Sequence, residues 1–390
     1  LSDQATLIGT PGGAEKRSEK STVCVTGATG FIGAHLAARL AGEGLTGERS
    51  SVRVTFRDRS RLEALAGVEV EPVLADVLDR HAMRSALEGC EILFHAAGMV
   101  ASRPRGEVWR VNAIAPRVAV ECAAETGVRR VVLTSSVAAI GPSPAGRPAD
   151  EHARFPEGGT GLIYTDSKHE GELAALAAGE RLGVEVVVVN PAYVLGAPVN
   201  RALPGETSTR IVGNYLRGRL PAIVDSYTSI VDVEDVADGH LRAARIGKPG
   251  ERYILAGENL RWSEVIERIA KLAGRRQPVI VLPPELATGA KLLGRVRIPG
   301  VPLEGIRLMA PDWRYSSAKA KRELGYEPRP VDATLRSTVE WYLELLDDGR
   351  VNARRGSFDL MTAGVRVGDR LGVLAPLKAA GRLAGRRTVL

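Results

Sequence analysis

Tyr164 and Lys168 stand four residues apart in GLIYTDSKHEGELAALAAGERLG, a stretch that reads as a helix. On a helix that spacing puts phenol and ammonium on one face, about one turn apart. A free phenol titrates at roughly pH 10, too high for a base at neutral pH. A fixed cation beside it favours the phenolate and makes it a usable acid/base. The pair by itself equally fits a solvated helix face, so its meaning depends on what the chain brings to it.

TGATGFIG (26–33) supplies one such partner. Gly27, Gly30 and Gly33 recur every third residue between a β-branched run and a helical pattern. Gly27 suits a tight turn, Gly30 lets backbone approach a pyrophosphate, and Gly33 lets helix pack closely on strand. The helix N-terminus then offers free N–H groups to phosphates, and Thr29, Phe31 and Ile32 belong to the same cofactor-binding loop. At the end of the second strand, where a carboxylate would serve ribose hydroxyls, stands Arg57. An arginine there can pair with a 2′-phosphate, which favours NADP(H) over NAD(H). Asp58, one residue on, could take the carboxylate role if the strand ends later. Asp76, with Val77 beside it, closes the third strand and reads either as a partner for the adenine amino group or as a cap for the next turn. RRVVLTSSVAAIG delivers Thr134, Ser135 and Ser136 to the carboxyl end of the fifth strand, where a reacting group belongs. Alternation along that strand does not decide which serine faces the pocket.

The elements that must position these residues alternate along the chain. VRVTFR (52–57), VEVEPVLAD (68–76), CEILFHAAG (90–98), RRVVLTSS (129–136) and VEVVVVNPA (184–192) read as strands, most of them continuously apolar. SRLEALAG, DRHAMRSALEG, EVWRVNAIAPRVAVECAAETG and the Tyr164 segment between them read as helices. The order predicts an α/β fold, a Rossmann-type doubly wound parallel sheet with right-handed crossovers. Beyond residue 192 the pattern becomes Gly- and Pro-rich, a loop, a helix and another loop. SIVDVEDVADGHLRAARIG and ERYILAGENL then read as a helix and a strand returning to the sheet, within about 226–256. WSEVIERIAKLAG reads as an amphipathic helix capped by Ser263. The expected organisation is a disordered tail over 1–20, a cofactor-binding core over 21–192, a smaller C-terminal substrate-binding lobe over 193–348 and a basic tail over 349–390.

Composition narrows the function further. The hydrophobic fraction is 44%, that of a globular chain, and no apolar run approaches the roughly 18 residues that span a bilayer. The first residues lack the basic-then-apolar order of a secretory signal. Cys24, Cys90 and Cys122 are widely spaced, which suits core thiols of a reducing cytoplasm better than a metal site or a disulfide framework. Residues 350–390 carry nine Arg or Lys against two Asp, which leaves the first 349 residues with 44 of each sign and argues against a nucleic-acid-binding body. In the tail, Lys378, Arg382 and Arg386 recur at spacing four opposite Leu374, Leu377 and Ala384, so a helix there could lie on an anionic membrane surface at the inner face. Gly381, Gly385 and Pro376 favour a solvated tail instead.

With these motifs in hand, the chain resembles the extended short-chain dehydrogenases/reductases, the NAD-dependent epimerase/dehydratase superfamily. TGATGFIG, FHAAG, LTSS, YTDSK and NPAYVLGAP carry the likeness, which covers about residues 21–348. TSTRIVGNYLRGRLPAIVDSYTSIVDVEDVADGHL, GERYILAGENL and YSSAKAKRELGYEPRP bring it closer to the dihydroflavonol-reductase-like branch, which includes bacterial members labelled hopanoid-associated sugar epimerases. The resemblance implies Tyr164 as catalytic acid/base, Lys168 as the residue that lowers its pKa and holds the nicotinamide ribose, and Ser136 as the binder of the substrate hydroxyl. Asn112 falls where the family has a structural or relay asparagine, although it also reads as a helix-bending residue. Ala96, Ala97 and Gly98 would line the cofactor, and Pro191 to Val194 would face the nicotinamide.

The implied reaction is hydride transfer between C4 of the nicotinamide and a secondary alcohol or ketone. A nucleotide-sugar epimerase or dehydratase would use the same site without net cofactor turnover. A non-catalytic NADP(H) sensor is the third alternative, against which stands the presence of Ser136, Tyr164 and Lys168 together. The expected partner is a small-molecule substrate, with no metal, and helices at 106–127 and 161–183 are candidates for homodimer pairing.

Overall fold

Apolar runs become central strands where alternate side chains can be buried on opposite faces. In order these are β1 (Thr22–Thr26), β2 (Ser51–Phe56), β3 (Glu71–Leu74), β4 (Ile92–His95), β5 (Arg130–Thr134) and β6 (Glu185–Pro191). β7 (Tyr193–Leu195), β8 (Ala222–Val224), β9 (Tyr227–Asp232), β10 (Arg252–Leu255), β11 (Glu258–Arg261) and β12 (Ile280–Leu282) follow. The structure, a computed structural model, describes residues 22–45, 50–204, 208–285, 307–351, 357–375 and 388–389. The expected disordered segment 1–20 and the basic repeat Lys378, Arg382 and Arg386 lie outside the described residues.

Among the described residues, seven strands form one sheet in the order β10-β6-β5-β4-β1-β2-β3. Every neighbouring pair in it is parallel. Cys24, Leu93, Val131 and Val188 turn to one face, where they meet Met83, Leu87, Val118, Cys122 and Ala175. Val25, Phe94, Val132 and Val189, each the next residue along, turn to the other and meet Leu36, Leu40, Val236 and Leu241. Each such fully buried aliphatic side chain contributes about 1.5–3 kcal/mol. The first face is covered by α2 (Arg80–Leu87), α4 (Ala115–Thr126) and α5 (Ile163–Leu182), and the second by α1 (Phe31–Glu43) and α7 (Val233–Ile246). Strand order reverses between β1 and β4, the crevice where ligands of doubly wound sheets bind. Cys24, Cys90 and Cys122 are free and buried.

Several elements differ from their sequence reading. SRLEALAG belongs to a 3-10 turn, Arg59–Leu65, begun by Asp58. The long helix read over residues 107–127 is α3 (Arg105–Trp109), a π-helical stretch Arg110–Ile114, and then α4. Pro116 explains the change of register, because it has no N–H to give the Asn112 carbonyl four residues back. Residues Tyr227–Asp232, read partly as helix, form β9, which pairs with β7 and β11 in a sheet of its own; β10 alone of that segment joins β6. Ser263 does not cap α8 (Trp262–Ala273). Arg261 holds that position, its N–H bonded to Glu264 Oε2 at 3.0 Å, while Asp225 Oδ1 accepts the Ser263 N–H at 3.0 Å.

A third apolar cluster joins Tyr215 and Leu216 of α6 (Arg210–Leu216), Ile223, Leu260, Trp262 and Ile266 to Trp341 and Tyr342. No helix among the described residues is long and apolar enough to cross a membrane.

Candidate active site

β1 delivers the chain into a turn that only glycines can form. Gly27 has φ +68°, and a Cβ there would lie 2.6 Å from Ala97 N and 2.7 Å from the Ala96 carbonyl carbon. Gly30 donates its N–H to Gly27 O at 2.9 Å. A Cβ on Gly33 would sit 2.2 Å from that same Gly27 oxygen. α1 starts at once after Gly30, with no side-chain cap and no acidic residue in its first turn, so its N-terminal N–H groups remain for an anion. Phe31 and Ile32 are half-buried against the core below, and Ala96 and Ala97 form the opposite wall through their backbone. A cradle that side-chain carbons would fill, open to a helix N-terminus, fits a dinucleotide pyrophosphate.

From the cradle the crevice runs to a groove of about 700 Å³ lined by Arg57, Asp76, Leu78, Asp79, Glu107 and Arg110. Arg57 Nη1 lies 3.7 Å from Asp76 Oδ2, both side chains about half exposed. Asp76 Oδ1 accepts the Leu78 N–H, and it is Asp79 that caps α2 through His81 and Ala82 N–H. Asp58 is committed as a cap, since its Oδ1 accepts both the backbone N–H and the hydroxyl of Ser60. Val77 turns into the core, so only its backbone is available to the groove.

β5 ends at Thr134, after which the two serines part. Ser135 is buried and anchored by its N–H to Val189 O at 2.8 Å. Ser136 is extended, and its Oγ accepts the Ala138 N–H at 3.1 Å. It is Ser136 whose hydroxyl reaches Tyr164: burial raises the phenol above its ordinary value, and the Ser136 interaction opposes that rise. Lys168 follows one turn along α5 and donates to Thr134 O at 3.0 Å. Burial depresses its ammonium to about 8, opposed by the charge of Glu172. A Cβ on Gly98 would come within 3.2 Å of Lys168 Nζ, so the ammonium borders the loop after β4. Pro191 ends β6; Val194, in β7, has its side chain in the core and its carbonyl taken by the Ser208 hydroxyl.

The family resemblance implies a structural or relay role for Asn112, whereas Gly171, His95 and His240 have no counterpart in the sequence reading. Asn112 Oδ1 accepts the Met99 N–H at 2.8 Å, and its Nδ2 donates to Met99 O at 2.9 Å and Ser167 Oγ at 3.2 Å. That amide therefore pins the loop after Gly98 to α5. Gly171 makes the approach possible, because a Cβ there would overlap the Asn112 carbonyl oxygen at 1.9 Å. His95 Nδ1 lies 3.0 Å from Thr26 Oγ1, and burial together with the Lys168 charge depresses the ring to about 3, so it is neutral at working pH. His240 donates from Nδ1 to Val236 O, which leaves Nε2 to accept from Thr134 Oγ1 at 2.7 Å. A glycine inside a helix and a histidine inside a strand were the available sequence signals for Gly171 and His95.

Residues 23–256 match the sequence profile of the NAD dependent epimerase/dehydratase family. The chain belongs to this family. Among its relatives, Sterol demethylase protein B of Methylococcus capsulatus is 33% identical over 337 residues, 83% of this chain and 98% of that protein. Cinnamoyl-CoA reductase 1 of Petunia hybrida is 30% identical over 331 residues, 82% of this chain and 91% of its own. The solved structure of gox2253 is 31% identical with a TM-score of 0.72, covering 85% of this chain and all of that one. A dTDP-glucose 4,6-dehydratase double mutant from Streptomyces venezuelae, solved with NAD bound, shares the fold at 22% identity and a TM-score of 0.67 over 83% of this chain and 97% of its own. A putative dihydroflavonol 4-reductase of Synechocystis, 33% identical over 331 residues, 82% of this chain and 93% of its own, is consistent with the dihydroflavonol-reductase-like branch, and the chain is an enzyme of an NAD(P)-binding family.

Proposed function

We propose that this enzyme is an NADP(H)-dependent reductase or dehydrogenase acting on a secondary alcohol or ketone, with Tyr164 as acid/base. The observation that carries the reading is the convergence of Ser136, Tyr164 and Lys168 at the carboxyl end of β5, beside Gly98 and within the crevice that begins at the glycine cradle. Gly27, Thr29, Gly30, Phe31, Ile32 and Gly33 would hold the pyrophosphate, with Arg57, Asp76 and Val77 at the adenosine end and Ala96, Ala97, Gly98, Lys168, Pro191 and Val194 along the nicotinamide half. The bound cofactor supplies a hydride donor or acceptor at nicotinamide C4.

The chain's own residues handle the proton. Ser136 orients the substrate oxygen toward the phenol. Tyr164 Oη gives up or takes the hydroxyl proton as the carbon is reduced or oxidised. Burial raises the phenol in the structure; Lys168, still largely protonated at neutral pH with its midpoint at about 8, would oppose that rise by its charge. Asn112 keeps Met99 and Gly98 at the edge of the pocket. Residues 21–192 would form the cofactor-binding core and 193–348 the substrate-binding lobe, a division supported by the separate apolar cluster around Trp262 and Trp341.

NADP(H) is favoured over NAD(H) because Asp58 is occupied as a cap while Arg57 stands half exposed at the groove. Arg57→Ala is expected to weaken NADPH binding by about 10- to 100-fold, the worth of a charge-assisted hydrogen bond, and to leave NADH binding nearly unchanged. Equal losses for the two cofactors in fluorescence titrations would remove Arg57 from 2′-phosphate recognition.

The whole reading is tested by cofactor economy. A reductase exchanges its cofactor freely and consumes NADPH in the presence of a panel of ketones and aldehydes. Tightly retained cofactor with no net consumption, and interconversion of a nucleotide sugar, would instead favour the epimerase that shares this chemistry.

A further inference from the structure

Glu172 continues the stripe of Tyr164 and Lys168 along α5, at spacings of four and eight residues, into the interior. Its side chain is 1% exposed. Arg252 Nε, from β10, lies 2.9 Å from Oε1. Asn190 Nδ2, from the end of β6, donates to Oε2 at 2.7 Å and also to the Ser136 carbonyl at 3.0 Å. One buried carboxylate thus meets the layer below Lys168, the strand beside Ser136 and the edge strand of the sheet.

We propose that Glu172 is a positioning residue for the whole reacting set: a buried carboxylate one helical turn beyond Lys168 whose charge faces the ammonium and whose bond to Asn190 fixes the peptide that carries Ser136. The inference rests on the reading of Ser136, Tyr164 and Lys168 as the reaction centre.

A plain structural staple between α5, β6 and β10 would need hydrogen bonds but no charge. The surroundings of Lys168 argue for the charge. From its own helix it faces Tyr164 and Glu172; from β4 it faces His95, which is held neutral; behind Thr134 of β5 stands His240 of α7, depressed by burial to about 4 and also neutral. Arg252 is cationic and reaches the site only through Glu172. Among these groups Glu172 is the one carboxylate, and its charge opposes the burial that draws Lys168 down to about 8.

Glu172→Gln keeps the shape and an oxygen for Asn190 while removing the charge. In protein labelled with 13C-lysine, whose nine lysines allow assignment by Lys168→Met, the Lys168 midpoint is expected to fall by about one pH unit in Glu172→Gln, with substrate and cofactor absent. The alkaline limb of kcat/KM should move the same way, giving about a fivefold loss at pH 8 and almost none at pH 6. Arg252→Met should move Lys168 upward, because it leaves the carboxylate uncompensated; that opposite shift also supplies the answer should Glu172→Gln fold poorly. A Lys168 midpoint unchanged in the folded Glu172→Gln, or unchanged in Arg252→Met, reduces Glu172 to a staple and overturns the proposal. Failure of the underlying reading looks different: Tyr164→Phe would retain turnover whatever Lys168 does.

Discussion

Tyr164→Phe is expected to lower turnover by about 10²- to 10⁴-fold, the usual worth of a positioned acid/base, while NADPH affinity stays within about twofold. The ring is retained, so the packing of α5 against the cofactor crevice survives and only the transferable proton is removed. Ser136→Ala should lose less, because the phenol stays in place and only the orientation of the substrate oxygen suffers. Single-turnover kinetics with cofactor saturating separates the two effects, since a fall in the chemical step at unchanged cofactor affinity marks Tyr164 as the acid/base. Comparable turnover in wild type and Tyr164→Phe would remove the phenol from the chemistry.

The second large effect comes from a methyl group. Gly33→Ala puts a carbon where 2.2 Å separates it from Gly27 O, so α1 must lift from the turn that opens it. Overpacking of this kind destabilises by about 1–3 kcal/mol, and here the displaced atoms are those that would cradle the pyrophosphate. NADPH affinity is expected to fall more than the melting temperature alone would suggest. Gly42, in the same helix, has nothing within 4 Å of its would-be Cβ, so Gly42→Ala should be neutral or stabilising by up to about 1 kcal/mol. Thermal melts and cofactor titrations of the two variants side by side give the contrast; similar behaviour of both would mean that the Gly27–Gly33 contact is not what holds the cradle.

The parts of this enzyme that were legible in its sequence are those where local pattern and final environment coincide. VVLT and VVVV could hardly be anything but buried parallel strands, and the strand-glycine-helix order around Gly27, Gly30 and Gly33 has few other uses. The legibility stops where a partner arrives from far along the chain. Ser136 and Ser135 look alike until the turn Val137–Ala139 twists one hydroxyl to Tyr164. Ser263 has a good capping residue's chemistry, but Asp225, 38 residues earlier, reaches the α8 N-terminus first. β9 lies at the start of a segment that reads as a helix, yet β7 and β11 pair with both its edges and hold it as a strand. Asn190 opens NPAYVLGAP and Glu172 lies in the Tyr164 helix, but neither pattern shows what it does; that appears when β6, β10 and α5 meet behind Ser136.

The most direct test of the hydride-transfer site uses NADPH deuterated at C4, incubated with a panel of ketones and aldehydes, and mass spectrometry of the alcohols formed. Wild type is expected to place one deuterium on the carbinol carbon of the product, and Tyr164→Phe none above background at equal cofactor occupancy. Alcohol without deuterium, or tight NADPH binding with no labelled product from any member of the panel, would contradict it.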